Sequence, residues 1–162
     1  MSPLPGDAYF AGLFDGEGSF SIQVRTAQRN GLVTASLTPR ASMTLKYGNV
    51  VLDDLAERFG GRVYDGENGK RRWSVQRREQ CREVAVALLP YLRIKRVVAE
   101  RFLAALDMWP VLTGVSRSTG ATAWTPESIR AVGGVAATLN PSQHSAGVLE
   151  RVELLAAAYE AV

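Results

Sequence analysis

Apolar positions along this chain recur with a period that switches between about 3.6 and 2 residues. Residues 8–16 carry Tyr9, Phe10, Leu13 and Phe14 at helical spacing, with Asp7 placed to cap the first turn. From Ser19 the period becomes two: Phe20, Ile22 and Val24 alternate with Ser21, Gln23 and Arg25. The polar run Gln28 to Gly31 predicts a turn, and residues 33–45 alternate again, with Pro39 arguing for an edge or a break. Asn49 can cap a helix that runs to Phe59 and stops at Gly60-Gly61. Residues 62–65 and 70–77 then predict a hairpin across Asp65 to Gly69, with Trp73 and Val75 facing opposite Arg72, Ser74 and Gln76. Helices over about 79–89 and 95–108 follow, separated by Pro90.

The order is helix, two strands, helix, two strands, helix. Each strand has one apolar and one polar face, so the apolar faces should pack on the helices in an α+β domain. The polar faces then form one curved antiparallel surface. Beyond residue 109 comes a loop rich in Ser, Thr and Gly to about residue 124, then a helix start at Thr125-Pro126-Glu127. Gly133-Gly134 weakens that helix, and a last one spans about 145–161, with Val148, Leu149, Val152, Leu155, Ala156 and Tyr159 on one stripe. The reading is a core over 1–109 and a C-terminal helical extension over 110–162 that packs on it or against what the core binds.

Charge sharpens the picture of the polar surface. The chain of 162 residues has a net charge of only +3, but residues 1–101 hold 16 Lys and Arg against 11 Asp and Glu, and residues 102–162 hold 3 against 5. The strand faces Ser21, Gln23, Arg25, Thr38, Arg40, Ser42, Arg72, Ser74 and Gln76 include no acid. Arg29, Thr44, Lys46, Arg62 and Lys70 extend the same surface. Arg and Gln reach base edges bidentately, and a two-stranded ribbon fits the major groove. The surface reads either as a face for double-stranded DNA or as an ordinary solvent-facing sheet. No apolar run is long enough to span a membrane. The N-terminus lacks the pattern of a signal peptide. One cysteine, Cys81, fits a reducing cytosol or organellar matrix. The only histidine, His144, lies in the tail, away from the candidate site.

The densest chemistry lies in Phe10-Ala11-Gly12-Leu13-Phe14-Asp15-Gly16-Glu17-Gly18. Ala8, Gly12 and Gly16 recur every four residues and line a stripe with almost no side chain. A glycine inside a helix costs roughly 1 kcal/mol relative to alanine, so Gly12 needs a reason, and close approach of another backbone supplies one. Glu17 follows at the helix end, where the helix dipole opposes a carboxylate. A divalent cation there would reverse the penalty.

This stretch resembles the motif of the LAGLIDADG homing endonucleases. The segment Leu88 to Arg96 resembles them too, with Lys95 where the family has a lysine close to the catalytic carboxylate. The resemblance covers about residues 7–105 and implies an αββαββα fold. It implies a site-specific DNA endonuclease in which Glu17 and Lys95 are catalytic and Glu17 and the Gly16 carbonyl hold Mg²⁺. Mn²⁺ should also serve, and Ca²⁺ should bind without supporting cleavage. Thr44 and Lys46 are the candidates for a polar residue that orients water. The chain bears one motif, so the resemblance implies a homodimer through Ala8, Ala11, Gly12, Asp15 and Gly16, and a pseudo-palindromic target cut in both strands. Two alternatives share the fold: a maturase that binds intron RNA, and a DNA-binding regulator without catalysis.

Overall fold

The computed structural model describes residues 5–46, 50–110, 124–140 and 145–161. Its elements run α1 (Asp7–Glu17), β1 (Gly18–Arg29), β2 (Leu32–Lys46), α2 (Val50–Phe59), β3 (Arg62–Asp65), β4 (Lys70–Val75), α3 (Arg78–Leu88), α4 (Arg96–Asp107), α5 (Pro126–Leu139) and α6 (Ser145–Glu160), with a single 3₁₀ turn at Glu67–Gly69. The strands form one antiparallel sheet in the order β1-β2-β4-β3.

Several local expectations needed correction. Asp7 does not cap α1; Gly6 occupies that position, and the Asp7 carboxylate instead pairs with Arg58 of α2, 3.1 Å from both Nε and Nη2. The first hairpin turn is only Asn30-Gly31, both with positive φ (53° and 77°), as a two-residue hairpin turn of this kind demands. Strand β1 therefore runs on through Gln28 to Arg29. Of the two readings of Pro39, the edge holds and the break does not: it pairs with Ile22 inside β2, just beyond Ala41, where the ladder to β4 ends and that side of the strand is free of a further strand among the described residues. Strand β4 stops at Val75, so Gln76 lies past its end. The cap expected at Asn49, most of the loop expected before Thr125, and His144 lie outside the described residues.

Alternation along the strands sends Phe20, Ile22, Val24, Leu37, Ala41, Met43, Trp73 and Val75 to one face, where all are buried. The helices cover that face: α1 lies against β1, β2 and α3, α2 against β3 and β4, and α4 to α6 against β1. Phe20 sits between Phe14 and Phe102, with ring centroids 4.6 Å and 5.0 Å away. Trp73 is fully buried and its indole N–H donates to the Gly60 carbonyl at 2.8 Å, which removes the cost of an unpaired polar atom. That carbonyl is presented by Gly60-Gly61, both at positive φ, which end α2 where a side chain would be strained.

The C-terminal helices belong to the same core. Ile129, Val132, Leu139, Val152, Leu155 and Ala156 are buried together with the residues beneath the sheet. Thr125 caps α5 through a reciprocal pair of bonds with Ser128, and the Asn140 amide donates to the Phe20 carbonyl at 3.0 Å. The rings of Trp109 and Trp124 meet edge to face at 5.0 Å, just before and just after the 111–123 segment. Cys81 is packed inside, where burial pushes its thiol up to about 12 and away from reactivity.

The paired glycines of α5 differ sharply. A Cβ on Gly133 would lie 2.4 Å from Val152 Cγ2, whereas one on Gly134 meets nothing within 4 Å. Gly133→Ala should therefore cost about 1–3 kcal/mol by overpacking. Gly134→Ala should add up to about 1 kcal/mol through helix propensity. Thermal unfolding of the two variants should move in opposite directions.

Candidate active site and DNA-facing surface

The site is built where α1 ends and β1 begins. Gly18 forms that junction with no room for a side chain: a Cβ there would fall 2.2 Å from the ring of Phe14. The ring lies across the chain and sends the backbone directly from helix to strand, so Glu17, the last residue of α1, is left exposed. Gly12, Gly16 and Ala8 are exposed along the same helix, beside Tyr9 at 50% exposure. Ala11 does not share that stripe. It is wholly buried in the chain's own core, one residue and thus about 100° around the helix from Gly12.

Asp15 also faces its own chain. Its two oxygens accept the backbone N–H groups of Arg93 and Lys95, each at 2.9 Å, tying α1 to the turn that leads into α4. These bonds give Asp15 a capping role within its own chain. Burial pushes its carboxyl up, but the backbone N–H groups of Arg93, Lys95 and Ile94 and the Lys95 charge outweigh that and hold it below its ordinary value. A carboxyl lowered by folding adds stability that is complete above its unfolded value, near pH 4, and lost as pH falls through the folded value. Asp15→Asn should cost about 1–2 kcal/mol at neutral pH. The gap from the unmutated chain should close below about pH 4, as followed by thermal melts across pH.

The turn fixed by Asp15 delivers Lys95. Its ammonium donates to the carbonyls of Phe14 and Asp15, both at 2.9 Å, so it sits over the last turn of α1. An ammonium has three N–H groups, and this leaves one. Burial lowers its pKa, while the charges of Asp15 and Glu17 oppose that shift. Glu17 and Lys95, far apart in sequence, are thereby brought to one end of α1. Among the described residues no cluster of three or more His, Cys, Asp or Glu could hold a metal by itself. Glu17 and the Gly16 carbonyl, in the last helical turn where intrahelical partners run out, are the oxygens at hand. Such a sparse set suits Mg²⁺, which takes one or two carboxylates and fills its shell with water and phosphate.

From this point the polar face of the sheet extends outward. The register places Ser21, Gln23 and Arg25 beside Thr38, Arg40 and Ser42, then Thr44 and Lys46 beside Arg72 and Lys70, then Arg62 beside Ser74. Ser74 is the exception to the expected surface: it is buried, beneath Tyr64, whose hydroxyl lies 3.3 Å away. Tyr64 itself, 41% exposed on this face, was missed; its alternation with Arg62 was the available signal. The side chain of Arg29 lies outside the described residues. Arg72 donates to Thr44 at 3.0 Å and Arg40 to Gln23 at 3.1 Å. Among the described residues, Arg25, Arg40, Arg62, Lys70, Arg72 and Arg77 have no carboxylate partner. By contrast, Arg58, Arg71, Arg82 and Arg130, away from this face, are all ion-paired. Unneutralised cations gathered on one face are what a phosphate backbone requires.

Solved structures of homing endonucleases share this fold. The structure of I-TnaI superposes with a TM-score of 0.72 at 19% identity, over 93% of this chain and 98% of that one. The archaeal intron-encoded I-Vdi141I complexed with DNA matches with a TM-score of 0.64 at 18% identity, over 92% and 95% of the two chains. I-SmaMI bound to cleaved DNA matches with a TM-score of 0.67 at 18% identity, over 91% of this chain but only 49% of its own. A family model described as LAGLIDADG endonuclease matches residues 10–102, more than half the length, and the chain belongs to that family. No curated protein matches the chain significantly. No helix among the described residues is long and apolar enough to cross a membrane.

Proposed function

We propose that the chain acts as a homodimer that cuts both strands of a pseudo-palindromic DNA target with the help of a divalent cation. One observation carries the reading: Glu17, a single exposed carboxylate, ends a helix whose outward stripe is Ala8, Gly12 and Gly16. One such carboxylate serves one strand, and two copies packed through bare helices would bring two of them together. The match to only half of I-SmaMI supports the same count, since one chain of that protein spans what two of these would.

Glu17 and the Gly16 carbonyl would hold the cation. When bound, a divalent cation at a scissile phosphate supplies an activated water and charge stabilisation. The sheet sets the register of the DNA through arginines that no carboxylate neutralises among the described residues, Arg25, Arg40, Arg62 and Arg72. Lys95, anchored by two carbonyls, keeps its remaining N–H and its charge for a phosphate oxygen or the attacking water. Mg²⁺ is the expected physiological ion. Structures of I-CvuI on DNA were determined with 2 mM Mg, the DNA not cleaved, and with 2 mM Ca.

The test is cleavage of a plasmid library of candidate sites with Mg²⁺, with Ca²⁺ and with a chelator. Discrete linear product in Mg²⁺, and bound but uncut DNA in Ca²⁺, is the expected result. Absence of linear product at every site in Mg²⁺ and in Mn²⁺ would overturn the reading.

A further inference from the structure

Two side chains on the polar face form a unit that the cutting chemistry does not use. Gln23 of β1 lies opposite Thr38 and Arg40 of β2 lies opposite Ser21, so Gln23 and Arg40 are diagonal neighbours on one face. Arg40 Nη2 donates to Gln23 Oε1 at 3.1 Å. A guanidinium has donors and no acceptor. The Gln23 amide must therefore turn its oxygen toward Arg40, and its NH₂ group keeps its donors for another partner. Arg40 Nε is buried with no partner among the described residues. A buried donor left unpaired costs stability, so Arg40 adds less to the fold than its bond to Gln23 suggests.

We propose that Gln23 and Arg40 read one base of each half-site together, as a surface of donors only, and that the base is guanine. The inference rests on the DNA-cutting reading above. A glutamine with its oxygen free pairs with adenine, which offers one acceptor and one donor in the major groove. Clamped by Arg40, the Gln23 oxygen is turned toward the guanidinium with one lone pair engaged, so the group it offers outward is its NH₂. Guanine presents two acceptors there, N7 and O6, whereas adenine and cytosine both present an amino group, and thymine a single acceptor beside a methyl group. Donors from Gln23 Nε2 and the Arg40 guanidinium match guanine and meet the others at a loss.

The test is recovery of cut members from a library of randomised half-sites, using the full chain with Mg²⁺. Wild type should favour guanine at one position per half-site by at least about tenfold. Arg40→Met keeps the aliphatic stem, removes the orphan donor and frees the Gln23 oxygen. It should convert that preference to adenine while thermal stability is unchanged or raised. Arg40→Lys, which keeps the charge and loses the fork, should relax the guanine preference while leaving the rest of the profile intact. Equal loss of cutting across all sequences, with the base profile unchanged, would mean a merely structural pair and would overturn the inference. Failure of wild type to cut any member would remove the DNA-cutting reading, and this inference with it; a normal profile with no change in Arg40→Met would remove this inference alone.

Discussion

Glu17→Gln should abolish strand cutting and leave DNA binding in place. The substitution keeps the size of an exposed side chain that has no packing role, so the fold has little to lose. What disappears is the charge that would hold a divalent cation at the end of α1. Cutting should fall by at least about 10³-fold, at the upper end of what removal of one electrostatic group costs an enzyme. Binding without metal should stay equal or tighten, because a carboxylate facing a phosphate is repulsive and an amide is not. Gel-shift titration alongside linearisation of a cleavable plasmid measures both. Glu17→Asp, which keeps the charge, should retain part of the activity. Loss of binding together with cutting would mean that Glu17 shapes the DNA surface rather than the chemistry, and the assignment would fall.

The second large effect should come from a glycine that touches nothing. A Cβ on Gly12 meets no atom within 4 Å in the isolated chain, and Gly12 is exposed in the middle of α1. Leucine there should stabilise the lone helix by up to about 1 kcal/mol. If two α1 helices pack stripe to stripe, the same leucine drives their backbones apart. Gly12→Leu should therefore sediment as a single chain, fold normally by circular dichroism, and lose more than about 100-fold of its cutting, since neither copy can complete the paired site. An unchanged sedimentation profile would place the interface on another face of the molecule.

Much of this was legible in the alternation of residue types. Period-two runs located the four strands, and the bare stripe with its terminal acid located the motif helix. What was not legible depended on contacts between distant segments. The resemblance placed Ala11 at an interface between copies, yet one residue of helical rotation from Gly12 turns it into the core. Asp7 has the chemistry of a cap, but Arg58, 51 residues away, offered a stronger bidentate partner. Asp15 reads as a helix-face acid until the turn before α4 arrives with its N–H groups. Ser74 alternates as a surface residue and is then roofed over by Tyr64 from the next strand. The clamp between Gln23 and Arg40 depends on the strand register, which a turn of two residues fixes and a longer turn would have shifted.

The Trp109–Trp124 ring contact has a consequence for engineering the chain. With one ring just before the intervening segment and the other just after it, the point at which α5 returns to the core is set by the clasp rather than by the chain between. Lengthening the 111–123 segment should then act only through the entropy of closing a longer loop, about 0.6 kcal/mol for each doubling. A reporter peptide or a tether spliced there should leave α5 and α6 seated under the sheet.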